Sequence, residues 1–298
     1  MAGRPRGSGQ DVAHWDDVTA EWRDDHLPSF FARWHRQDEV LLQETTAAII
    51  AEAAVGSGFT VLDVGCGSGI PSLELARVVG PSGSVTATDP SPILIAAVEE
   101  NARRSGLTNL IAVRASASEL PFPPASFDAA TCHMGVMFFP DVRAGLARMR
   151  EALRRGRRAA FVAWGPQEEN AFFGSFWSAA GPYLPTPPPT ENANPPAAET
   201  PFGEPGPTRF AQPGSLSAAL AAAGFDDIRE EARRVVLTWP DGPERLREMW
   251  YDLTGLDRQV TADRKPSLDA DVLASCTRFA EGDGLKMPAT IVVASGRA

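Results

Sequence analysis

A short apolar run leads directly into a glycine-rich turn at VLDVGCGSG, residues 61–69. The apolar run predicts a buried strand, and Gly65, Gly67 and Gly69 allow the backbone to approach a ligand closely. A helix is expected directly after the turn, so its free N–H groups would face a carboxylate or another anion. A strand, a tight turn and a helix in this order predict a ligand site in an α/β protein.

Strand-like and helix-like segments alternate from this turn onwards. Apolar or β-branched runs stand at SVTATD, LIAVRAS, FDAATC and RAAFVAW, and helices are predicted over residues 93–105 and 142–153. Parallel strands need a helical crossover between them, so the alternation predicts a parallel sheet. We expect a Rossmann-like α/β fold with a seven-stranded, mostly parallel sheet whose last strand is antiparallel.

Two segments fall outside this alternation. Residues 1–55 contain helical patterns with many large aromatic side chains, which predict an N-terminal helical cap on a main domain of residues 56–298. Eleven prolines lie between residues 182 and 213. Proline interrupts regular structure, so we expect an insertion over about residues 166–213, after the fifth strand, that forms a loop or lid.

An acidic residue ends the second predicted strand, twenty residues beyond Gly69. The Asp89 carboxylate could accept hydrogen bonds from two ribose hydroxyls, and its charge would repel a 2′-phosphate. The third glycine of the dinucleotide fingerprint would fall at Ile70, whereas this chain has glycine one residue earlier. A ribonucleoside ligand is therefore indicated, and the alternative is that Asp89 only caps the helix that begins near Pro92.

Four segments together resemble one enzyme family. VLDVGCGSGIPSLELA, TATDPSP, ASASELPFPPASFDAATC and LRRGRRAAFVAWG are similar to the successive motifs of class I S-adenosylmethionine-dependent methyltransferases, in particular the ubiquinone/menaquinone C-methyltransferase-like (methyltransferase type 11) group. The match covers about residues 60–165. It implies S-adenosyl-L-methionine as the cofactor and methyl transfer as the reaction, and it says little about the acceptor.

The resemblance also assigns positions to the cofactor. It places one group around the methionine part: Asp63, Gly65, Cys66 and Gly67. It implies that Asp89 binds the ribose and that Ile93 packs on the adenine. Ser116, followed by Ala117, stands where the family usually has an acid that accepts from the adenine amino group. A hydroxyl can still accept, and the alternative is an ordinary loop serine.

Two further residues are candidates for the reacting end of the cofactor. Trp22 falls where related enzymes place an aromatic ring over the methionine end, which would favour a sulfonium cation, although a core tryptophan fits the pattern equally. His133 directly follows the strand FDAATC and is the candidate catalytic residue. It could act as a general base, contact cofactor or acceptor, or be structural.

The acceptor is expected to be a small, apolar or aromatic molecule. Large and aromatic side chains follow the fifth strand on the side where the acceptor should lie: Trp164, Asn170, Phe172, Phe173 and Phe176. The phenylalanine spacing fits helix packing equally well. Two other functions stay open, namely a methyltransferase acting on protein or RNA, and a protein that binds the cofactor without transferring its methyl group.

Charge and composition limit the partners. The formal net charge is −10, which disfavours nucleic acid. We interpret the basic run between Arg143 and Arg158 as the solvated face of a helix that ends before Gly156. Three widely separated cysteines without metal-ligand spacing, and no long apolar run, predict a cytoplasmic protein without a metal site or membrane span. A homodimer is compatible with this sequence.

Overall fold

The computed structural model describes residues 25–184, 202 and 204–298. Trp22, the predicted aromatic neighbour of the sulfonium, lies outside the described residues. The same holds for most of the proline-rich segment that we interpret as a lid.

Eight strands form one sheet in the order β3-β2-β1-β4-β5-β8-β6, and the short β7 pairs with β8. The strands are β1 Thr60–Val64, β2 Ser84–Asp89, β3 Leu110–Arg114, β4 Phe127–His133, β5 Leu153–Trp164, β6 Asp226–Trp239, β7 Ala280–Glu281 and β8 Gly284–Arg297. Strands β1–β5 pair in parallel, and β8 runs antiparallel to both β5 and β6. This confirms the predicted Rossmann-like sheet with an antiparallel last strand, to which the two-residue β7 adds an eighth.

Eleven α-helices lie among the described residues. They are α1 His26–Arg33, α2 His35–Leu41, α3 Gln43–Glu52, α4 Ser72–Val79, α5 Pro92–Arg104, α6 Val142–Ala152, α7 Ala171–Ala180, α8 Ser215–Ala222, α9 Pro243–Thr254, α10 Leu256–Gln259 and α11 Lys265–Thr277. Helices α5 and α6 end within a residue of their predicted limits. Each is preceded by a polar N-cap residue, Ser91 or Asp141, whose side chain accepts a hydrogen bond from a backbone N–H of the first turn.

The first three helices cover one part of the sheet. Helix α3 packs against β4, β5, β6 and β8, while α2 contacts β6. The Glu44 carboxylate accepts a hydrogen bond from the Val236 backbone N–H of β6 at 2.9 Å. Gln37 of α2 donates to Asp241, two residues beyond the end of β6, at 3.0 Å. Helix α2 therefore lies near the carboxyl ends of the strands.

The buried side chains form two separate cores. The aliphatic core contains no buried aromatic ring and comprises Val61, Cys66, Leu73, Leu75, Ala76, Val79, Val85, Ala87, Val98, Ala102, Leu110 and Ala129. The aromatic core is larger and holds, among others, Phe30, Trp34, Phe161, Phe176, Phe210, Trp239 and Trp250. The aliphatic core lies behind the glycine-rich turn, since β1, β2, α4 and α5 supply most of it.

We expected the basic run to form one helical face, and this expectation is wrong. Helix α6 ends at Ala152, and the remainder of the run belongs to β5. Arg154 and Arg157 pair with Asp128 of β4, and Arg158 pairs with Asp227. Strand pairing with β4 and β8 replaces helix continuation here, and the arginines pair with carboxylates of β4 and β6.

No helix in the described part of the chain is long and apolar enough to cross a membrane.

Candidate functional site

The glycine-rich turn follows β1 and is held against the end of β2. The backbone N–H groups of Gly65 and Cys66 both donate to the Thr88 carbonyl, at 2.8 and 2.9 Å. Gly65, Gly67 and Gly69 all have positive φ, of 70°, 54° and 113°. A Cβ on Gly69 would lie 2.8 Å from a Val98 methyl group, so only glycine allows α5 to pack this closely on the turn.

Asp89 joins this turn to the start of α5. Its carboxylate accepts hydrogen bonds from the backbone N–H groups of Ser91, at 2.9 Å, and Gly67, at 3.1 Å. Burial raises the pKa of Asp89 to about 6, and these two bonds oppose the shift. Ser91, not Asp89, caps α5 by accepting from the Leu94 N–H. The capping alternative for Asp89 is therefore wrong, and its carboxylate lies at the junction of β1 and β2.

Asp63 lies beneath the turn rather than on its surface. Its fully buried carboxylate accepts hydrogen bonds from the Ser72 hydroxyl and from the Thr131 hydroxyl, the latter at 2.8 Å. Burial raises the pKa of Asp63 to about 6, against the effect of both hydroxyls. The carboxylate thus links β1, β4 and α4. Our sequence analysis missed both partners, because each depends on the tertiary fold.

The remaining cofactor candidates line the same carboxyl edge. The Cys66 thiol is buried within the turn, which raises its pKa well above the ordinary value, so it is a neutral group. Ile93 is half-buried in the first turn of α5. The half-buried Ser116 hydroxyl lies 3.4 Å from the Glu119 carboxylate, and Ala117 begins the 3-10 turn that follows. A hydroxyl that donates to Glu119 keeps its oxygen lone pairs for an external donor.

His133 ends β4 and is buried under α3. Its Nε2 lies 2.8 Å from the Thr45 hydroxyl oxygen, which in turn lies 2.8 Å from the Leu42 carbonyl. Burial lowers the pKa of His133 to about 4, and a hydrogen bond to the Ile70 backbone opposes the shift. The imidazole is therefore neutral near pH 7, and with α3 in this position its Nε2 is engaged by the Thr45 hydroxyl.

Helix α2 touches the glycine-rich turn directly. Nδ1 of His35 lies 2.9 Å from the Ser68 hydroxyl, and the Asn101 amide donates to the Ser68 carbonyl at 3.0 Å. Burial lowers the pKa of His35. The turn is thus held by α2 on one side and by α5 on the other.

Asp38 is a buried acid that our sequence analysis missed. Its exposed fraction is 8%, and its carboxylate makes no hydrogen bond or ion pair with any described residue. Burial alone raises its pKa to about 7. One signal could have revealed it, because His35, Asp38, Leu42 and Thr45 recur at the spacing of one helical face. A carboxylate on such a face is unusual unless it has a partner.

The aromatic side chains after β5 pack on one another. The aromatic cluster consists of Phe172, Phe173, Phe176 and Trp177 of α7 around Trp250 of α9. Phe176 and Trp250 stack at 4.6 Å with an interplanar angle of 8°. The Asn170 amide, also buried, donates to the Thr290 carbonyl at 3.1 Å. Helix packing is therefore the correct interpretation for Phe172 and Phe176, which are buried in the aromatic core.

The side chains at this edge fit S-adenosylmethionine. Two carboxylates, Asp89 and Asp38, can accept hydrogen bonds from ribose hydroxyls or meet a cation, and the turn lets backbone N–H groups approach an anion. A Cβ placed on Gly67 would meet no other atom within 4 Å, so space for a ligand adjoins the turn there. The described residues contain no group of three His, Cys, Asp or Glu side chains that could hold a metal.

Residues 61–156 match the sequence profile of a family described as "Methyltransferase domain". An uncharacterized protein of Mycobacterium tuberculosis is 33% identical over 160 residues, which cover 52% of this chain and 56% of that protein. The chain thus spans little more than half the length of this relative. The nocamycin O-methyltransferase of Saccharothrix syringae is 27% identical over 80% of this chain and 85% of its own length.

A second named relative and one solved structure are also similar. The 2-phytyl-1,4-naphtoquinone methyltransferase of Synechococcus elongatus is 37% identical over 37% of this chain and 48% of its own length. The structure of phosphoethanolamine N-methyltransferase 2 of Haemonchus contortus, solved with S-adenosylhomocysteine, matches over 95% of this chain and 60% of its own. Its TM-score of 0.52 at 15% identity shows a shared fold.

Proposed function

We propose that this chain, whose residues 61–156 match a methyltransferase domain, is a class I S-adenosylmethionine-dependent methyltransferase that transfers the methyl group to a small, apolar or aromatic molecule. The observation that carries the proposal is the junction of β1 and β2, where the glycine-rich turn and the Asp89 carboxylate meet at 3.1 Å. A ligand with an anionic group and a ribose would find both of its partners there.

Each candidate residue has a proposed task. The backbone of Gly65, Cys66 and Gly67 would bind the methionine part, while Asp63 fixes the turn from below. Asp89 would exchange its bonds to backbone N–H groups for bonds from the ribose hydroxyls.

The adenine would lie between Ile93 and the segment Ser116–Ala117. Trp22 would lie over the sulfonium, where the face of an aromatic ring favours a cation.

The chemistry places modest demands on the protein. The bound cofactor supplies an activated methyl group on a sulfonium, so the protein has to align the acceptor and exclude water. We propose that His133, held by Thr45, fixes the edge of β4 beside the acceptor. The half of the sheet that carries the aromatic core would then cover the acceptor side.

The proposed acceptor class rests on charge and on the named relatives. A net charge of −10 opposes a polyanionic substrate. The relatives named above act, by their names, on nocamycin and on a phytyl naphthoquinone. We therefore place the acceptor among quinone-like molecules and secondary metabolites. A homodimer is compatible with this proposal, and light scattering would measure the mass in solution.

Calorimetric titration with S-adenosylhomocysteine tests the cofactor site. We expect binding at micromolar levels, and Asp89→Asn should weaken it because a charged acceptor is lost. Asp128→Asn is the matched control, since Asp128 pairs with Arg154 at the opposite end of the sheet and should leave affinity unchanged. Equal affinity of both variants and the unaltered protein would overturn the assignment of Asp89.

Labelled cofactor mixed with fractionated cell extract tests the transfer itself. Label in the small-molecule fraction supports the proposal. Label only in protein or RNA would point to a macromolecular acceptor. Cofactor binding without any S-adenosylhomocysteine formation would identify a protein that binds the cofactor for another purpose.

A further inference from the structure

Helices α2 and α3 present one polar stripe to the carboxyl edge of the sheet. His35, Asp38, Leu42 and Thr45 are separated by three, four and three residues, and the helical hydrogen bonds continue through Leu42, since its N–H donates to Asp38 and its carbonyl accepts from Thr46. His35 reaches Ser68 of the glycine-rich turn. Thr45 reaches His133 at the end of β4. Asp38 lies between these two anchors and therefore faces the same edge.

The two anchors fix where this stripe points. Ser68 follows β1 and His133 ends β4, and these strands are neighbours in the sheet. The carboxyl ends of adjacent parallel strands form the crevice in which open α/β sheets bind ligands. Asp38 is thus positioned over the gap between the cofactor turn and the acceptor side.

Stability does not explain an acid at this position. A buried charge without a hydrogen-bond partner destabilises a fold, and Asp38 has none among the described residues. The other two buried acids at this edge, Asp63 and Asp89, each accept two hydrogen bonds. Asp38 is the one that still offers both carboxylate oxygens to a ligand.

We propose that Asp38 is the general base of this enzyme and that the acceptor group is a neutral hydroxyl, such as a phenol or an enol. This inference rests on the proposed methyltransferase function. The hydroxyl donates a hydrogen bond to the carboxylate, which fixes the oxygen facing the sulfonium methyl. Asp38 would touch the acceptor and would therefore be a catalytic residue.

Methyl transfer from sulfur to the acceptor oxygen releases one proton. A lone pair of the acceptor oxygen forms the new O–CH3 bond, and the S–CH3 bond breaks with its electron pair going to sulfur, which becomes the neutral thioether. The hydroxyl proton passes to the Asp38 carboxylate and later leaves to water. The products are a methyl ether, S-adenosylhomocysteine and one proton.

The environment of Asp38 suits this task better than that of His133. General bases work best when their pKa lies near the working pH. Burial brings the pKa of Asp38 to about 7 and lowers that of His133 to about 4. In addition, Nε2 of His133 is already occupied by Thr45, whereas the Asp38 oxygens have no described partner.

A pair of cofactor analogues tests the position of Asp38 without any acceptor. Sinefungin carries a protonated amine where the transferable methyl lies, and S-adenosylhomocysteine carries nothing there. Asp38→Asn should weaken the binding of sinefungin by about tenfold or more, which is the usual effect of losing a hydrogen bond to a charged group. The affinity for S-adenosylhomocysteine should change by less than about twofold. Calorimetry measures both, and retained S-adenosylhomocysteine binding shows that the variant is folded.

Glu39→Gln is the matched control. It removes the neighbouring charge of the same helix from a side chain that is 48% exposed, so neither analogue should bind differently. If Asp38→Asn bound both analogues as tightly as the unaltered protein, Asp38 would not face the methyl position. If the unaltered protein bound no S-adenosylhomocysteine, the proposed function itself would be overturned, and this inference with it.

Turnover on a series of phenols tests the role as a base. Phenols that stay protonated near neutral pH need a base, whereas dinitrophenols are already ionised there. Asp38→Asn should slow methylation of the former by about 10²–10⁴-fold and of the latter by much less, while a purely structural role would slow both equally. Equal losses, or no methylation of any hydroxyl acceptor by the unaltered protein, would overturn the assignment.

Discussion

The aliphatic core and the aromatic core pack against the same sheet but consist of different kinds of side chain. The aliphatic core packs small side chains behind the glycine-rich turn, and its buried members include no aromatic ring. The aromatic core packs rings against rings, with Trp250 stacked on Phe176. Small side chains let helix and turn approach closely, whereas large rings fill the wide space between α7, α9 and the sheet.

The two kinds of packing favour different kinds of ligand recognition. Close packing behind the turn would leave backbone N–H groups and Asp89 as the proposed recognition elements for a single cofactor. The aromatic core is a volume that can be refilled by other side chains of similar size. We therefore expect variation in the acceptor to depend on the aromatic core, and four predictions test whether the two regions are separable.

The largest expected effect is on the aromatic core. Trp250→Ala should lower the free energy of unfolding by about 3–5 kcal/mol, because it removes the ring that the other members of the aromatic cluster contact. Affinity for S-adenosylhomocysteine should stay within about threefold. Urea denaturation and calorimetry measure the two quantities.

Trp250→Phe is the control for that substitution. It keeps a ring against Phe176 and removes an indole N–H that has no partner among the described residues, so the loss should be under about 1.5 kcal/mol. A folded Trp250→Ala variant that had lost cofactor binding would show that the two regions are not separable.

The next effect lies beneath the turn. Thr131→Val keeps the side-chain volume but removes one of the two hydroxyls that donate to the Asp63 carboxylate. A buried acceptor left short of a donor should cost about 1–3 kcal/mol of stability. Ser126→Ala, which removes a half-buried hydroxyl that donates only to the nearby Pro123 carbonyl, should change stability less, and denaturation of both variants makes the comparison. If Thr131→Val were as stable as the unaltered protein, the Asp63 carboxylate would not need the Thr131 hydroxyl as a donor.

Cofactor affinity should depend on pH through Asp89. The free protein has a pKa of about 6 at this carboxyl, and ribose hydroxyls donating to the ionised form would lower it. Affinity is therefore full well above pH 6 and falls as pH drops through 6, by at most about tenfold per unit. Titrations between pH 5 and pH 8 measure this, because that range spans the pKa of about 6. Asp89→Asn should flatten the profile, and an unchanged slope would assign the proton to another group.

The smallest expected effect is at the contact between cap and sheet. Thr45→Val removes the hydroxyl that bonds to Nε2 of His133 and should cost about 0.5–1.5 kcal/mol of stability. Thr277→Val, which loses only a hydroxyl bond within its own helix, is the matched control. A Thr45→Val variant with an unchanged melting temperature would show that His133 does not hold α3 in place.

The sequence allowed prediction of those parts of the site that depend on local signals. Glycines with positive φ and an acid at a strand end leave a pattern within a few residues, as at Gly67 and Asp89. Asp38 was missed because its position at the site depends on contacts with residues far along the chain, at Ser68 and His133. The basic run was misassigned for a similar reason, since Arg158 belongs to a strand only through pairing with β4 and β8.

The aromatic side chains show the limit in another way. Phe172 and Phe176 have the spacing of a buried helix face, and the same spacing would serve a pocket wall. Only the position of Trp250, more than seventy residues later in the chain, decides between packing and binding for them. Helix α11 was also not predicted, and β6 extends further towards its start than expected, because the charged first half of that strand lacks buried apolar residues.

The place of β8 in the sheet has a consequence for synthesis. Strands β1–β5 can pair with one another as they leave the ribosome, because every pairing among them is complete once β5 has been made. Strands β5 and β6 are joined only through β8, which is made after both. A nascent chain therefore carries two open strand edges until residues 284–297 emerge, and during that interval it is most vulnerable to pairing with another chain.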